Sequence, residues 1–148
     1  MLNIIGTGSD EYFNELKQII RAKGLENNVK LWGFCYNVDE ILQSMDVGLM
    51  LSRREAFGRV TVEYMLNYMP VIGVNTGATP EIIDNESGFI CELDDSEKLA
   101  DFMQKFITNP ELLSQMGSKA RERAIKNFSL ERNTDQIYEL YQEILSRK

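Results

Sequence analysis

Between Ser52 and Glu63 the chain reads Ser-Arg-Arg-Glu-Ala-Phe-Gly-Arg-Val-Thr-Val-Glu, which sets Glu55 and Glu63 on either side of a loop-to-helix junction. Gly58 to Thr61 would form the first helical turn. Its amides lack intrahelical acceptors and can receive an anion, and Gly58 lets that anion come close to the backbone. The arrangement suits a nucleotide diphosphate, with pyrophosphate on the helix end, one carboxylate toward ribose hydroxyls and the other toward a sugar. Two glutamates at this spacing also occur by chance on solvated helix faces, and composition alone favours that plainer reading. Arg53, Arg54 and Arg59 either add positive charge there or sit solvated on the surface.

Other chemistries find little support. The chain has no His, which removes a His general base, a Ser-His-Asp arrangement and every His-containing zinc set. Cys35 and Cys91 form no Cys-x-x-Cys unit and read as free thiols of a reducing compartment. Gly6-Thr7-Gly8 resembles the start of a dinucleotide fingerprint, but the third glycine position holds Glu11, so a tight turn or close approach to a phosphate explains it better. With 16 basic against 23 acidic residues the net charge is −7, and nucleic acid is an unsuitable partner. No apolar run or leader points to a membrane span or signal peptide, and the chain is expected to be cytoplasmic.

Strand and helix patterns alternate strictly along the chain. Leu2–Ile5, Val29–Gly33, Val47–Leu51, Val71–Val74 and Gly88–Cys91 read as short apolar strands. The helices between them carry Tyr12, Leu16, Ile19 and Ile20 on one face, then Val38, Ile41, Leu42 and Met45, then Val62, Met65, Leu66 and Met69 up to Pro70. A short Pro-initiated helix follows from Thr79 to Asp84. Three helices close the chain: one capped by Ser96 with Leu99, Phe102, Met103 and Phe106 inward, one opened by Asn109-Pro110, and one opened by Ser129 with Ile137, Leu140, Tyr141, Ile144 and Leu145 inward. Trp32 and the methionines are expected in the core. The fold class is therefore α/β: one Rossmann-like domain over residues 1–148, a parallel sheet with helices on both faces. A chain of 17.0 kDa folded so exposes about 7,700 Å². Ligands sit outside the carboxyl ends of such strands, at loops 6–9, 33–37, 52–58 and 75–80.

The stretch EAFGRVTVE resembles the E-x7-E motif of family 4 of the retaining glycosyltransferases, which have the two-domain GT-B fold. The likeness extends upstream through IIGTGS and LWGFCYNVDEILQSMDVGLMLS and downstream through YMPVIGVNTGATPEII and ESGFI, from residue 2 to about residue 128. It implies that this chain is the nucleotide-sugar-binding domain of an enzyme that transfers a sugar with retained configuration and no required metal or other cofactor. Bacterial polysaccharide or glycoconjugate synthesis is the implied setting. Glu55 matches the catalytic glutamate at the donor sugar, and Glu63 the one that binds the ribose diol. Phe57, Gly58, Arg59 and Val60 match the loop against donor sugar and phosphate. Gly33, Cys35 and Asn37 match the loop beside the base, and Gly8 the glycine facing the pyrophosphate.

The sequence departs from the family pattern at its start. The family's donor domain begins one strand and helix earlier, with an Arg and a Lys for the phosphates, and an acceptor domain precedes it. Both are expected to be missing here, to be supplied in cis or by a partner chain, with any attachment to the inner membrane face made through the missing domain. The exposed sheet edge is expected to favour self-association. A non-catalytic nucleotide-sugar-binding subunit that needs a partner is the alternative reading. Gly77-Ala78 stands where the family has paired glycines, and Ala fits only if its φ is negative.

Overall fold

A computed structural model describes residues 1–147, in two compact units, the first Met1–Ile41 and the second from Leu42 onward. In the first, β1 (Leu2–Ile5) pairs in parallel with β2 (Val29–Gly33), with Leu2 opposite Val29 and a register shift after Ile4. Between them runs α1 (Asp10–Ala22), where the Ser9 hydroxyl accepts from the Tyr12 amide. Gly24, at φ 64°, lies just beyond the α1 cap at Lys23. No α1 side chain is buried, and Tyr12 and Ile19 are largely exposed. Trp32 is half-buried; its indole N–H donates to Asn3 Oδ1 and Lys30 lies over its ring. The short α2 (Val38–Leu42) leads into the second unit and stops before Met45.

The second unit is built on a three-stranded parallel sheet in the order β3 (Gly48–Met50), β4 (Val71–Val74), β5 (Gly88–Cys91). All four residues of the central strand β4 are buried, as a strand covered on both faces requires. Alternation then sorts its side chains. Val71 joins Met50, Met65, Ile82, Ile83, Ala120 and Ala124 on one face. Ile72 and Val74 join Cys91, Phe102, Phe106 and Met116 on the other. Each fully buried apolar side chain of this kind contributes roughly 1.5–3 kcal/mol.

The covering helices are α3 (Arg59–Leu66), α4 (Thr79–Ile82), α5 (Ser96–Thr108) and α6 (Pro110–Phe128), followed by α7 (Leu130–Ser146). Four expectations need correction. First, α3 ends at Leu66, which is exposed; Met69 reaches the core from beyond Tyr68, whose φ is 59°. Second, Asp95 rather than Ser96 caps α5, its carboxylate accepting from the Lys98 amide. Third, Met103 on α5 faces out. Fourth, α7 forms as expected but buries nothing, and Ile137, Leu140, Tyr141, Ile144 and Leu145 are each about half exposed or more. No helix among the described residues is long and apolar enough to cross a membrane.

Arg123 ties α6 to the end of α4. Its guanidinium donates to the carbonyls of Glu81 and Ile82 and to Asp84 Oδ2 at 2.6–2.8 Å. Burial alone would raise the Asp84 carboxyl, but the Ser87 hydroxyl, the Arg123 charge and the amides of Ser87 and Glu86 outweigh it and hold the group below its ordinary range. A lowered folded-state value contributes stability above the unfolded value, and that contribution is lost as pH falls through the folded value. Asp84→Asn should therefore lower stability at neutral pH and lose less of it between neutral pH and about pH 3 than the parent does. Urea unfolding at both pH values tests this, and parallel losses in the two proteins would contradict it.

Candidate functional site

The site is built where β3 runs into α3. Gly58 is the N-cap of α3 in a left-handed conformation, φ 79° and ψ 47°, and has no side chain to satisfy the first-turn amides. Thr61 N–H returns to the Gly58 carbonyl at 2.9 Å. The Gly58 amide itself donates to Glu55 Oε1 at 3.0 Å, so the loop carboxylate is turned onto the helix start. The two residues that the motif sets three apart are thus joined.

A second loop holds the first in place. Gly77 sits at φ 52°, and a Cβ placed on it would lie 1.8 Å from the Glu55 carbonyl oxygen. The Thr76 hydroxyl donates to the Ser52 carbonyl at 2.7 Å. Loops 52–58 and 75–78 are held together by that side-chain hydrogen bond and by the close approach of Gly77 to the Glu55 carbonyl. Ala78 has φ −81°, which meets the condition under which Ala can stand for the second glycine.

Glu63 is exposed on α3, one turn beyond the helix start. Burial chiefly, and then the neighbouring Glu63 charge, raise the Tyr64 phenol. Phe57 is half exposed and meets Phe128 edge-on at 6.1 Å between centroids. Arg59 and Val60, the first α3 residues, are exposed. Arg53 is committed elsewhere, to Asp94 at 2.7 Å, in an exposed pair worth little to stability. Every other described helix carries Asp or Glu in its first turn, and α3 carries none. The positive end of its dipole is answered only from the loop, by Glu55.

In the first unit, Gly33 at φ 70° ends β2, and its carbonyl accepts from the Gly6 amide at 2.9 Å and from Cys35 Sγ at 3.9 Å. Asn37 donates to Glu40 at 3.3 Å. Gly8 precedes α1, whose first turn is occupied by Asp10, Glu11 and the Ser9 cap. The glycine loops of β1 and β2 are therefore neighbours at the carboxyl ends of their strands.

Two groups escaped the motif reading. Thr61 Oγ1 and Thr79 Oγ1 are wholly buried without a hydrogen-bond partner, and only the packed helices reveal that. A cleft of about 660 Å³ opens at the far end of α3, between Leu66, Tyr68, Leu113 and Arg121. It lies at the opposite end of that helix from Gly58.

A family model described as glycosyl transferases group 1 matches residues 1–123. The N-acetyl-alpha-D-glucosaminyl L-malate synthase of Bacillus anthracis is 32% identical over 145 residues, which are 97% of this chain and 38% of that protein. The poly(ribitol-phosphate) alpha-N-acetylglucosaminyltransferase of Staphylococcus aureus is 30% identical over 131 residues, 87% of this chain and 26% of that one. Among solved structures, Anabaena Alr3699/HepE in complex with UDP superposes with a TM-score of 0.88 at 29% identity, covering 95% of this chain and 40% of that chain. The chain thus spans well under half the length of these relatives. A match over most of its length, with the same fold, makes this chain a member of the glycosyl transferases group 1 family.

Proposed function

We propose that this chain is the donor-binding part of a glycosyltransferase that moves a sugar from a nucleotide sugar to an acceptor with retention, in bacterial polysaccharide or glycoconjugate synthesis. The observation that carries this reading is the start of α3, a helix end with no acidic residue in its first turn and no side chain on its N-cap, where the Glu55 carboxylate holds the Gly58 amide and Glu63 is exposed one turn on. The likeness to a structure that holds UDP supports a nucleoside diphosphate as the group bound.

The roles are those that the likeness to the family implies, and the chemistry of the groups suits them. First-turn amides of α3 donate to the diphosphate and stabilise the charge that grows on it as the sugar leaves. The exposed carboxylate of Glu63 takes two ribose hydroxyls, and Glu55 takes hydroxyls of the donor sugar near the reacting carbon. Gly8, Gly33, Cys35 and Asn37 contribute the phosphate-facing turn and the loop beside the base. The acceptor is held by an amino-terminal region, in cis or as a partner chain, and attacks the face from which the diphosphate departs. No metal ion takes part in this reading.

Calorimetric titration with UDP, ADP and GDP tests it. One of the three should bind, and Glu63→Ala should weaken that binding about 10- to 100-fold, the worth of a charge-assisted hydrogen bond. Absence of binding by all three, or indifference to Glu63→Ala, would refute the assignment.

A further inference from the structure

We propose that Glu55 also sets the preference of the site between a nucleotide sugar and the free nucleoside diphosphate, by holding the Gly58 amide whenever no sugar is present to draw its carboxylate away. The proposal rests on the donor-binding reading above and adds to it a competition that the structure makes explicit. Nothing in the residue pattern links Glu55 to a plain diphosphate, and from the sequence Glu55→Gln is expected to leave diphosphate binding nearly unchanged. The 3.0 Å bond from Gly58 N–H to Glu55 Oε1 changes that expectation.

One amide proton serves one strong acceptor, so a phosphate oxygen can use the Gly58 amide only if the carboxylate leaves. Two anions at that helix end also repel each other at close range. The surroundings of Gly58 specify what moves. The Glu55 backbone is pinned, because its carbonyl oxygen lies against Gly77 and the neighbouring Ser52 carbonyl is held by Thr76. Only the Glu55 side chain is left to swing. Its Cγ and the Thr61 hydroxyl oxygen, with Ile82 Cδ1, border the same small space beside Gly58, at 3.4, 3.2 and 3.4 Å from the point a Cβ would occupy. That hydroxyl is wholly buried and has no partner while Glu55 caps the helix. The helix start therefore holds a donor pair, the Gly58 amide and the Thr61 hydroxyl, of which Glu55 satisfies one.

A free diphosphate must displace the carboxylate without compensating it. A nucleotide sugar brings hydroxyls that accept the displaced carboxylate as their partner, so the swing is repaid within the same complex. The site then favours the donor and releases the diphosphate product, with no further residue involved.

The test compares the parent with Glu55→Ala and Glu55→Gln, titrated with UDP, ADP and GDP and with the glucose conjugate of each. For the base that binds, Glu55→Ala should tighten the diphosphate about tenfold while weakening its glucose conjugate, which inverts the preference. Glu55→Gln keeps an oxygen for the amide but loses the charge, and should give a smaller gain. If the parent binds a diphosphate and Glu55→Ala binds it equally or more weakly, the competition does not exist, whatever the standing of the donor-binding reading. If the parent binds none of the six ligands, that reading fails first and this proposal fails with it. Unchanged circular dichroism and melting temperature show that Glu55→Ala is folded. If it is not, Glu55→Gln decides alone, and a diphosphate affinity no higher than the parent's overturns the proposal.

Discussion

Offered a nucleotide sugar and an acceptor, the 148-residue chain should transfer no measurable sugar, and should gain transfer when joined to the acceptor-binding region proposed for it. The chain matches 38% of the N-acetyl-alpha-D-glucosaminyl L-malate synthase and 40% of the HepE chain. Within it, positive charge beside α3 comes from few side chains: Arg53 is paired with Asp94, Arg54 is exposed in the loop, and α3 offers its amides and the exposed Arg59. Each missing positioned donor costs roughly 100-fold in rate. Loss of a bound, oriented acceptor removes about 7–11 kcal/mol more from the barrier reduction. Either loss alone takes turnover below detection. The assay is a panel of nucleotide sugars with and without the added region, measuring sugar transferred and not merely donor hydrolysed. Sustained acceptor-dependent turnover by the chain alone, abolished in Glu55→Gln, would overturn the division of labour proposed for it.

How far the sequence carried depends on whether a property is local. The buried strand β4 was legible in Val-Ile-Gly-Val because a strand covered on both faces leaves no polar alternation. Which strand it pairs with was not legible, and the two separate ladders, β1 with β2 and β3 to β5, are set by tertiary packing. In α7 the periodicity identified the apolar face correctly and its burial wrongly, since period says which side chains share a face and nothing about what covers them. Asp95 and Ser96 are both good cap residues, and only the backbone angles decide between neighbours. At the site the same division holds. The helix start after Gly58 was legible from the residue types between the glutamates. The Glu55 cap, the orphan Thr61 hydroxyl and the Gly77 contact were not, because each depends on side-chain direction or on a loop some twenty residues away.

That last contact makes Gly77→Ala the most damaging single-methyl change expected in the site. At φ 52° an Ala costs about 1–2 kcal/mol in backbone strain alone. Its Cβ, whose place the backbone fixes, would also lie 1.8 Å from the Glu55 carbonyl oxygen, a backbone atom, at roughly half an ordinary contact distance. No rotamer change relieves a clash of that kind, so the loops must separate. Separation breaks the bond from Thr76 to the Ser52 carbonyl and carries Glu55, and with it the N-cap at Gly58, off the start of α3. The stability loss should be about 2–4 kcal/mol, strain and overlap together. Affinity for a nucleotide sugar should fall at least about tenfold through loss of the Gly58 and Glu55 contacts. Ala78→Gly is the control. Ala78 already has φ −81°, so glycine there relieves no strain; it gains unfolded-state freedom and gives up one methyl packed against the core, and should cost about 1–2 kcal/mol with binding intact. Thermal melts and calorimetry on the two variants separate a backbone clasp from a loop that simply contains glycine. Equal melting temperatures and equal affinities would mean that the two loops do not need each other.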